Sequence, residues 1–289
     1  MYELVEIVII VEKLRKYMLN ETISNIKIYP ISRYFDKTFQ GFEYLFCFLD
    51  LNSKNVQYNL NGKITNIFNR GKLIFFEICV GDINLVLLFS ITQNSKYFFN
   101  EPSVISIEFE LEENKKLFFQ DYSNRSQFKC LAYLDEYELA IRETGPDYTS
   151  IDFKYFKNKI TFPRIKDVSI YEFLKNQKII SGLDRYLISE TFFEIYANEK
   201  KNSLDSVGSL NPFNSIGYLN NNEILTIYNC IRKVLNKSYS CGGKINETYP
   251  DDTTGNYQCK IYGNDKIIID EKYMDVMTND RKNLYWVEN

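Results

Sequence analysis

Histidine is absent from this 289-residue chain, tryptophan occurs once, proline six times and glycine twelve times. Without histidine, an imidazole general base, a Ser-His-Asp triad and histidine-ligated metals are all excluded. Any chemistry must use carboxylates, amines, hydroxyls or thiols. The six cysteines, Cys47, Cys79, Cys130, Cys230, Cys241 and Cys259, include no C-x-x-C pair, so neither a zinc knuckle nor the disulfide framework of a small secreted domain is indicated. Reduced intracellular thiols are the simplest reading. Long apolar runs are missing too. The N-terminal run Ile7 to Val11 lies between Glu6 and Glu12, too short and too acidic at its flanks for a signal peptide or a membrane span. The protein is expected to be soluble and intracellular, with no membrane partner.

What the chain does have is aromatic weight, 16% of its residues, and enough length to bury a substantial core. Its net charge of −3 opposes contact with phosphate polymers, which attract lysine and arginine, but the distribution is uneven. Residues 159–243 carry eleven basic and eight acidic side chains, whereas residues 244–289 carry six and nine. Leu4 to Met18 places Ile7, Ile10, Val11, Leu14, Tyr17 and Met18 at helical spacing, predicting an amphipathic opening helix. From Ile23 to about Leu134, short β-branched and aromatic runs punctuated by Asn, Gly and Ser predict antiparallel strands in a β-sandwich. After Gly145-Pro146-Asp147, helical periodicity returns over Ile170–Asn176, Tyr186–Asn198 and Asn222–Tyr239. Beyond Gly242-Gly243, alternating Tyr257, Cys259 and Ile261, then Lys266–Asp270 and Asn283–Val287, predict a small hairpin-type β element.

The stretch Gln177 to Glu190, Q-K-I-I-S-G-L-D-R-Y-L-I-S-E, resembles the helix-two-turn-helix signature of the formamidopyrimidine-DNA glycosylase and endonuclease VIII family. Further anchors follow in the family's order. They are Met1-Tyr2-Glu3-Leu4-Val5-Glu6 beside M-P-E-G-P-E, Arg70-Gly71-Lys72, Leu88-Phe89-Ser90-Ile91-Thr92-Gln93 beside L-H-L-G-M-T-G, Gly145-Pro146-Asp147, Gly242-Gly243, and Tyr257 to Gly263 beside F-Q-x-x-V-Y-G. The resemblance implies an α+β chain. An N-terminal helix and β-sandwich domain would span residues 1–145, a helix-two-turn-helix domain 146–243, and a C-terminal β-hairpin finger 244–289 that is zincless, since Cys259 is its one cysteine. No cofactor and no metal is expected, and DNA is the implied partner.

Carried over residue by residue, the resemblance also shows what has been rewritten. The family's nucleophile is an N-terminal proline whose secondary amine attacks the sugar; Tyr2 stands at that position, leaving the amine of Met1 or the side chain of Lys72 as substitutes. Glu3 matches the glutamate that assists protonation and Glu6 the glutamate in the same helix, although carboxylates in a first helical turn also simply complement the helix dipole. Lys72 matches a lysine that contacts phosphate near the lesion. Arg281 resembles the finger arginine that grips phosphates, with Lys282 competing for the role. Of the residues that fill the hole left by an extruded base, the methionine falls on Ile91, the arginine on Ser123 and the phenylalanine on Arg125. Arg185 replaces the phosphate-binding asparagine of the family's Gly-Asn turn, with Asp184 beside it. Three readings follow: a scaffold that keeps DNA binding with lost or weakened catalysis, an active glycosylase and AP lyase using a non-proline amine, or a structural or protein-interaction role without DNA.

Overall fold

A computed structural model describes residues 2–30, 46–50, 55–92, 94–123, 125–131, 134–201, 210–269, 272–279 and 284–287. The chain divides into two compact units. One comprises Met1–Glu143 with Asn246–Gly255, the other Thr144–Ile245 with Asn256–Asn289.

In the first unit, helix α1 (Leu4–Met18) buries Leu4, Val5, Ile7, Ile10, Val11, Leu14 and Met18 and exposes Glu12, Arg15 and Lys16, the amphipathic division that its spacing predicts. The sheet contains β1 (Thr22–Ile28), β2 (Phe46–Asp50), β3 (Asn55–Arg70), β4 (Leu73–Val80), β5 (Ile83–Ser90), β6 (Ser95–Phe98), β7 (Ile107–Leu111), β8 (Lys116–Asp121) and β9 (Gln127–Leu131). Its main path runs β6-β8-β7-β1-β3-β4-β5-β9, with β2 also paired to β3, and its ladders are antiparallel.

Although Phe89 on β5 and Phe119 on β8 lie far apart along this path, their ring centroids are 5.9 Å apart. Phe89 also meets Phe109 of β7 at 6.0 Å, so the sheet curls until its ends face each other across an aromatic core. On the outer side of β5, helix α2 (Leu134–Glu143) lays Tyr137, Ala140 and Ile141 against Phe75, Val86, Leu88 and Leu131. That second covering explains why Leu85 to Phe89 is buried without alternation.

The second unit contains α3 (Phe153–Ile160), α4 (Ile170–Lys175), α5 (Arg185–Lys201) and α6 (Asn221–Ser240). Helix α6 opens on a reciprocal cap: the Asn220 side chain accepts the amides of Asn222 and Glu223 at 2.9 and 3.0 Å, while Glu223 accepts the Asn220 amide at 2.6 Å. Two hairpins follow, β10 (Lys266–Ile269) with β11 (Lys272–Asp275) and β12 (Met277–Asn279) with β13 (Leu284–Trp286). Tyr196, Ile261, Val276 and Val287 form a core cluster of this unit. Residues Tyr257 to Ile261, read from their alternation as part of the β element, form no strand, because the amides of Lys260 and Ile261 donate to the carboxylate of Glu190 instead of to a neighbouring strand. No helix among the described residues is long and apolar enough to cross a membrane.

Candidate functional site: the N-terminal carboxylates and the helix-turn

In the first unit, the start of α1 gathers Tyr2, Glu3 and Glu6, each no more than 2% exposed. The Glu3 amide donates to the Glu6 carboxylate at 3.1 Å, which fixes the entry to the helix. Tyr249 reaches the same neighbourhood on the returning segment Asn246–Gly255 and is equally buried at 2%. That segment is held by the Phe99 amide donating to the Pro250 carbonyl at 3.1 Å, by Lys13 Nζ against Asp251 Oδ2 at 2.6 Å, and by Asn100 Nδ2 donating to Asp252 at 3.1 Å. Among the described residues the hydroxyls of Tyr2 and Tyr249 have no hydrogen-bond partner. Burial first, then the charges of Glu247 and Glu6, raise the Tyr2 phenol well above its usual range; Tyr249 rises through burial, Glu6, Glu247 and Tyr2. Both phenols are therefore neutral at physiological pH. Tyr2 is thus a packed, protonated aromatic side chain at the head of α1.

Lys72 lies half-buried in the two-residue turn that joins β3 to β4, beside Gly71, whose φ of 55° is one that glycine adopts at least cost. Ile91 is 5% exposed and belongs to the core of its unit. Ser123 and Arg125 lie on a loop tied from within. Asp121 accepts the Ser123 amide at 3.1 Å, its hydroxyl at 2.8 Å and the Ser126 amide at 2.9 Å. Arg125 is exposed on that loop, as is Tyr122 at 64%.

In the second unit the turn between α4 and α5 is built by Gln177. Its Oε1 accepts the Gly182 amide at 2.8 Å, and its Nε2 donates to the carbonyls of Leu183 at 2.7 Å and Lys175 at 3.0 Å. Gly182 sits at φ 110°, and its amide is already committed within the protein. Asp184, 8% exposed, precedes the first turn of α5 and puts a carboxylate where helix amides would otherwise favour an anionic ligand. Arg185, the first residue of α5, is exposed. Lys244 Nζ lies 5.5 and 5.1 Å from the ring centroids of Tyr186 and Tyr262.

Glu190 is a residue the sequence reading left without a role. Buried on α5, it accepts the amides of Lys260, Ile261 and Tyr262 at 2.8, 3.0 and 3.0 Å and the Tyr257 hydroxyl at 3.1 Å. It anchors the approach to the hairpins. Its signal was available: an acid on a helix whose neighbours Leu187, Ile188 and Thr191 are all apolar or uncharged and buried. Met1, Arg281 and Lys282 lie outside the described residues, and among the described residues no cluster of three acidic or cysteine side chains could hold a metal.

The fold is that of the formamidopyrimidine-DNA glycosylases. The structure superposes on the Thermus thermophilus MutM (Fpg) protein with a TM-score of 0.73, at 16% identity, over 98% of this chain and 96% of that one. The Lactococcus lactis Fpg bound to DNA containing an abasic site gives a TM-score of 0.72 at 19% identity, over 99% and 97% of the two chains. A mutant Fpg bound to DNA containing THF gives 0.73 at 20% identity with the same coverage. No family model and no curated protein matches the sequence.

Proposed function

We propose that this chain is a DNA-binding scaffold with the fold of a base-excision-repair glycosylase, acting inside the cell, in which glycosylase and lyase chemistry is lost or weakened. The observation that carries the reading is Tyr2. A Schiff-base mechanism needs an amine with a free lone pair at this point, and a phenol buried to 2% and pushed toward its protonated form supplies none. Structural neighbours crystallised with DNA support nucleic acid as the partner. In this proposal Arg185, Arg125 and the finger's Arg281 or Lys282 provide the phosphate contacts, and the finger is built from residues 256–289, after the segment Asn246–Gly255 that belongs to the first unit. Zinc does not fit that finger, since Cys259 is its one cysteine and histidine is absent.

One observation favours a second reading. Glu3 and Glu6 keep buried places at the head of α1, so the carboxylates that the family resemblance pairs with an attacking amine are retained, and Met1 or Lys72 could supply that amine for lyase chemistry. Borohydride trapping on an oligonucleotide with a single abasic site separates the two. The scaffold reading expects no covalent band while the same oligonucleotide is bound at low salt. A band abolished by Lys72→Ala or by extending the N-terminus overturns it in favour of an active lyase, and absence of binding overturns it in favour of a role without DNA.

A further inference from the structure

In a chain whose net charge is −3, residues 153–166 carry five cations, Lys154, Lys157, Lys159, Arg164 and Lys166, and no acid. They lie on α3 and the short 3-10 turn Pro163–Ile165 that follows it, where Phe156 and Ile160 face inward. Lys157 is half-buried and the other four are exposed, and none of the five forms an ion pair among the described residues. Two aromatic side chains share this surface. Phe162 stands 49% exposed between α3 and the turn, and Tyr218, at 89%, ends the neighbouring turn Ile216–Tyr218.

The backbone beneath is fixed. The Gly217 amide donates to the Lys166 carbonyl at 2.8 Å and the Ile216 amide to Val168 at 2.9 Å. A Cβ on Gly217 would stand 2.8 Å from the Lys166 carbonyl oxygen, so glycine permits the close approach that brings the Tyr218 turn against Lys166. The ring borders an open groove of about 580 Å³ lined by Leu210, Phe213, Asn214, Ser215, Leu219 and Glu223.

We propose that this face is a second nucleic-acid contact, a platform for single-stranded DNA or RNA, separate from the turn before α5 and independent of any chemistry at Tyr2. The cations match a phosphate backbone in sign, and rings exposed to this degree do nothing for the core yet offer flat faces on which bases of any identity stack. An acidic peptide would meet the charges but leave the exposed ring of Tyr218 without a matching group.

The test is fluorescence anisotropy with a 20-nucleotide oligothymidylate across a salt series. Each phosphate contact on a single strand contributes about −0.7 to the slope of log affinity against log salt, so five cations give roughly −3 to −4. The triple substitution Lys154→Ala, Lys159→Ala, Arg164→Ala is expected to reduce the slope by about 2. Tyr218→Ala should weaken binding roughly 5- to 150-fold without changing the slope, and Tyr218→Phe should restore it. Trp286 emission verifies that each variant is folded. Unchanged binding in the variants, no binding by the wild type, or equally effective competition by polyglutamate overturns the platform. An abasic duplex run in parallel keeps the proposals apart, because Arg185→Glu should weaken that duplex and leave oligothymidylate unaffected.

Discussion

Removing one oxygen from Tyr2 is expected to stabilise this protein. A buried hydroxyl with no partner forfeits its hydration without recompense, about 1–3 kcal/mol, and both Tyr2 and Tyr249 are in that condition. Tyr2→Phe and Tyr249→Phe should each raise the midpoint of urea unfolding by an amount corresponding to about 1 kcal/mol; a lowered midpoint would mean that the hydroxyl has a partner, such as an internal water. Glu190 is the opposite case. Glu190→Ala strands three amides and a phenol at once, and a loss of about 3 kcal/mol or more is expected. Unfolding followed by the fluorescence of Trp286, the sole tryptophan, in edge contact with Phe213 at 5.1 Å, would measure it. The two cases differ in how legible they were. Tyr2, Glu3 and Glu6 could be read from order along the chain, because a helix start keeps sequence neighbours together. Tyr249 could not, since it arrives at that neighbourhood on a segment remote in sequence, and Glu190 could be paired with residues 260–262 only once the intervening α6 had been folded.

At the scale of elements, Gly145 and the segment Asn246–Gly255 are the places where one substitution should act on a whole connection. A Cβ on Gly145 would lie 2.5 Å from the Ile179 carbonyl oxygen, and the Gly145 amide donates to Gln177 at 2.8 Å. Gly145→Ala must therefore separate the chain entering the second unit from the turn before α5, at a cost of roughly 2–3 kcal/mol, detectable as a lowered Tm. For the returning segment the prediction is one of pH. Burial works to raise the pKa of Asp251, but hydrogen bonds from Lys13 and Thr253 outweigh it and leave the carboxyl below its usual 3.8. A lowered folded value means that the contribution is present above 3.8 and disappears as pH falls through the folded value. Protection of the Phe99 amide, bonded to Pro250, should decline as the pH falls below 3.8, after correction for intrinsic exchange, and Asp251→Asn should remove that dependence. Among strands, β4 matched its apolar run, Leu73 to Val80, whereas β3 was hidden. Its asparagines and Gly62 look like turn punctuation, yet Tyr58, Leu60, Gly62 and Ile64 point inward and Asn59, Asn61, Lys63 and Thr65 outward. Gly62 is required because a Cβ would press to 2.5 Å from a methyl of Ile78. Helix α3 was overlooked for another reason: its eight residues bury only Phe156 and Ile160, too few to set a period against flanking lysines.

At the scale of the whole molecule, fold and chemistry answer to different numbers of residues. A core of scores of side chains tolerates substitution provided size and pattern persist, so the architecture survives at 16–20% identity to the glycosylases it superposes on. Recognition of a damaged site depends on a handful of groups, and on the proposed scaffold reading several are altered together: Tyr2 is packed, Ile91 is buried, and Asp184 puts a negative charge beside the turn before α5, whose Gly182 amide is already bonded to Gln177. On that reading what remains for DNA is attraction to phosphate by exposed cations, which does not distinguish a damaged duplex from an intact one. Specific DNA-binding proteins prefer their sites by roughly 10³–10⁷ over other sequences. For this chain the preference for an abasic duplex over an intact one is expected to stay under about 10-fold, with the same salt slope for both. Competition titrations at two salt concentrations measure the ratio directly. A preference of 100-fold or more would show that the binding face still reads the lesion, and would make the amines of Met1 and Lys72 the first places to look for surviving chemistry.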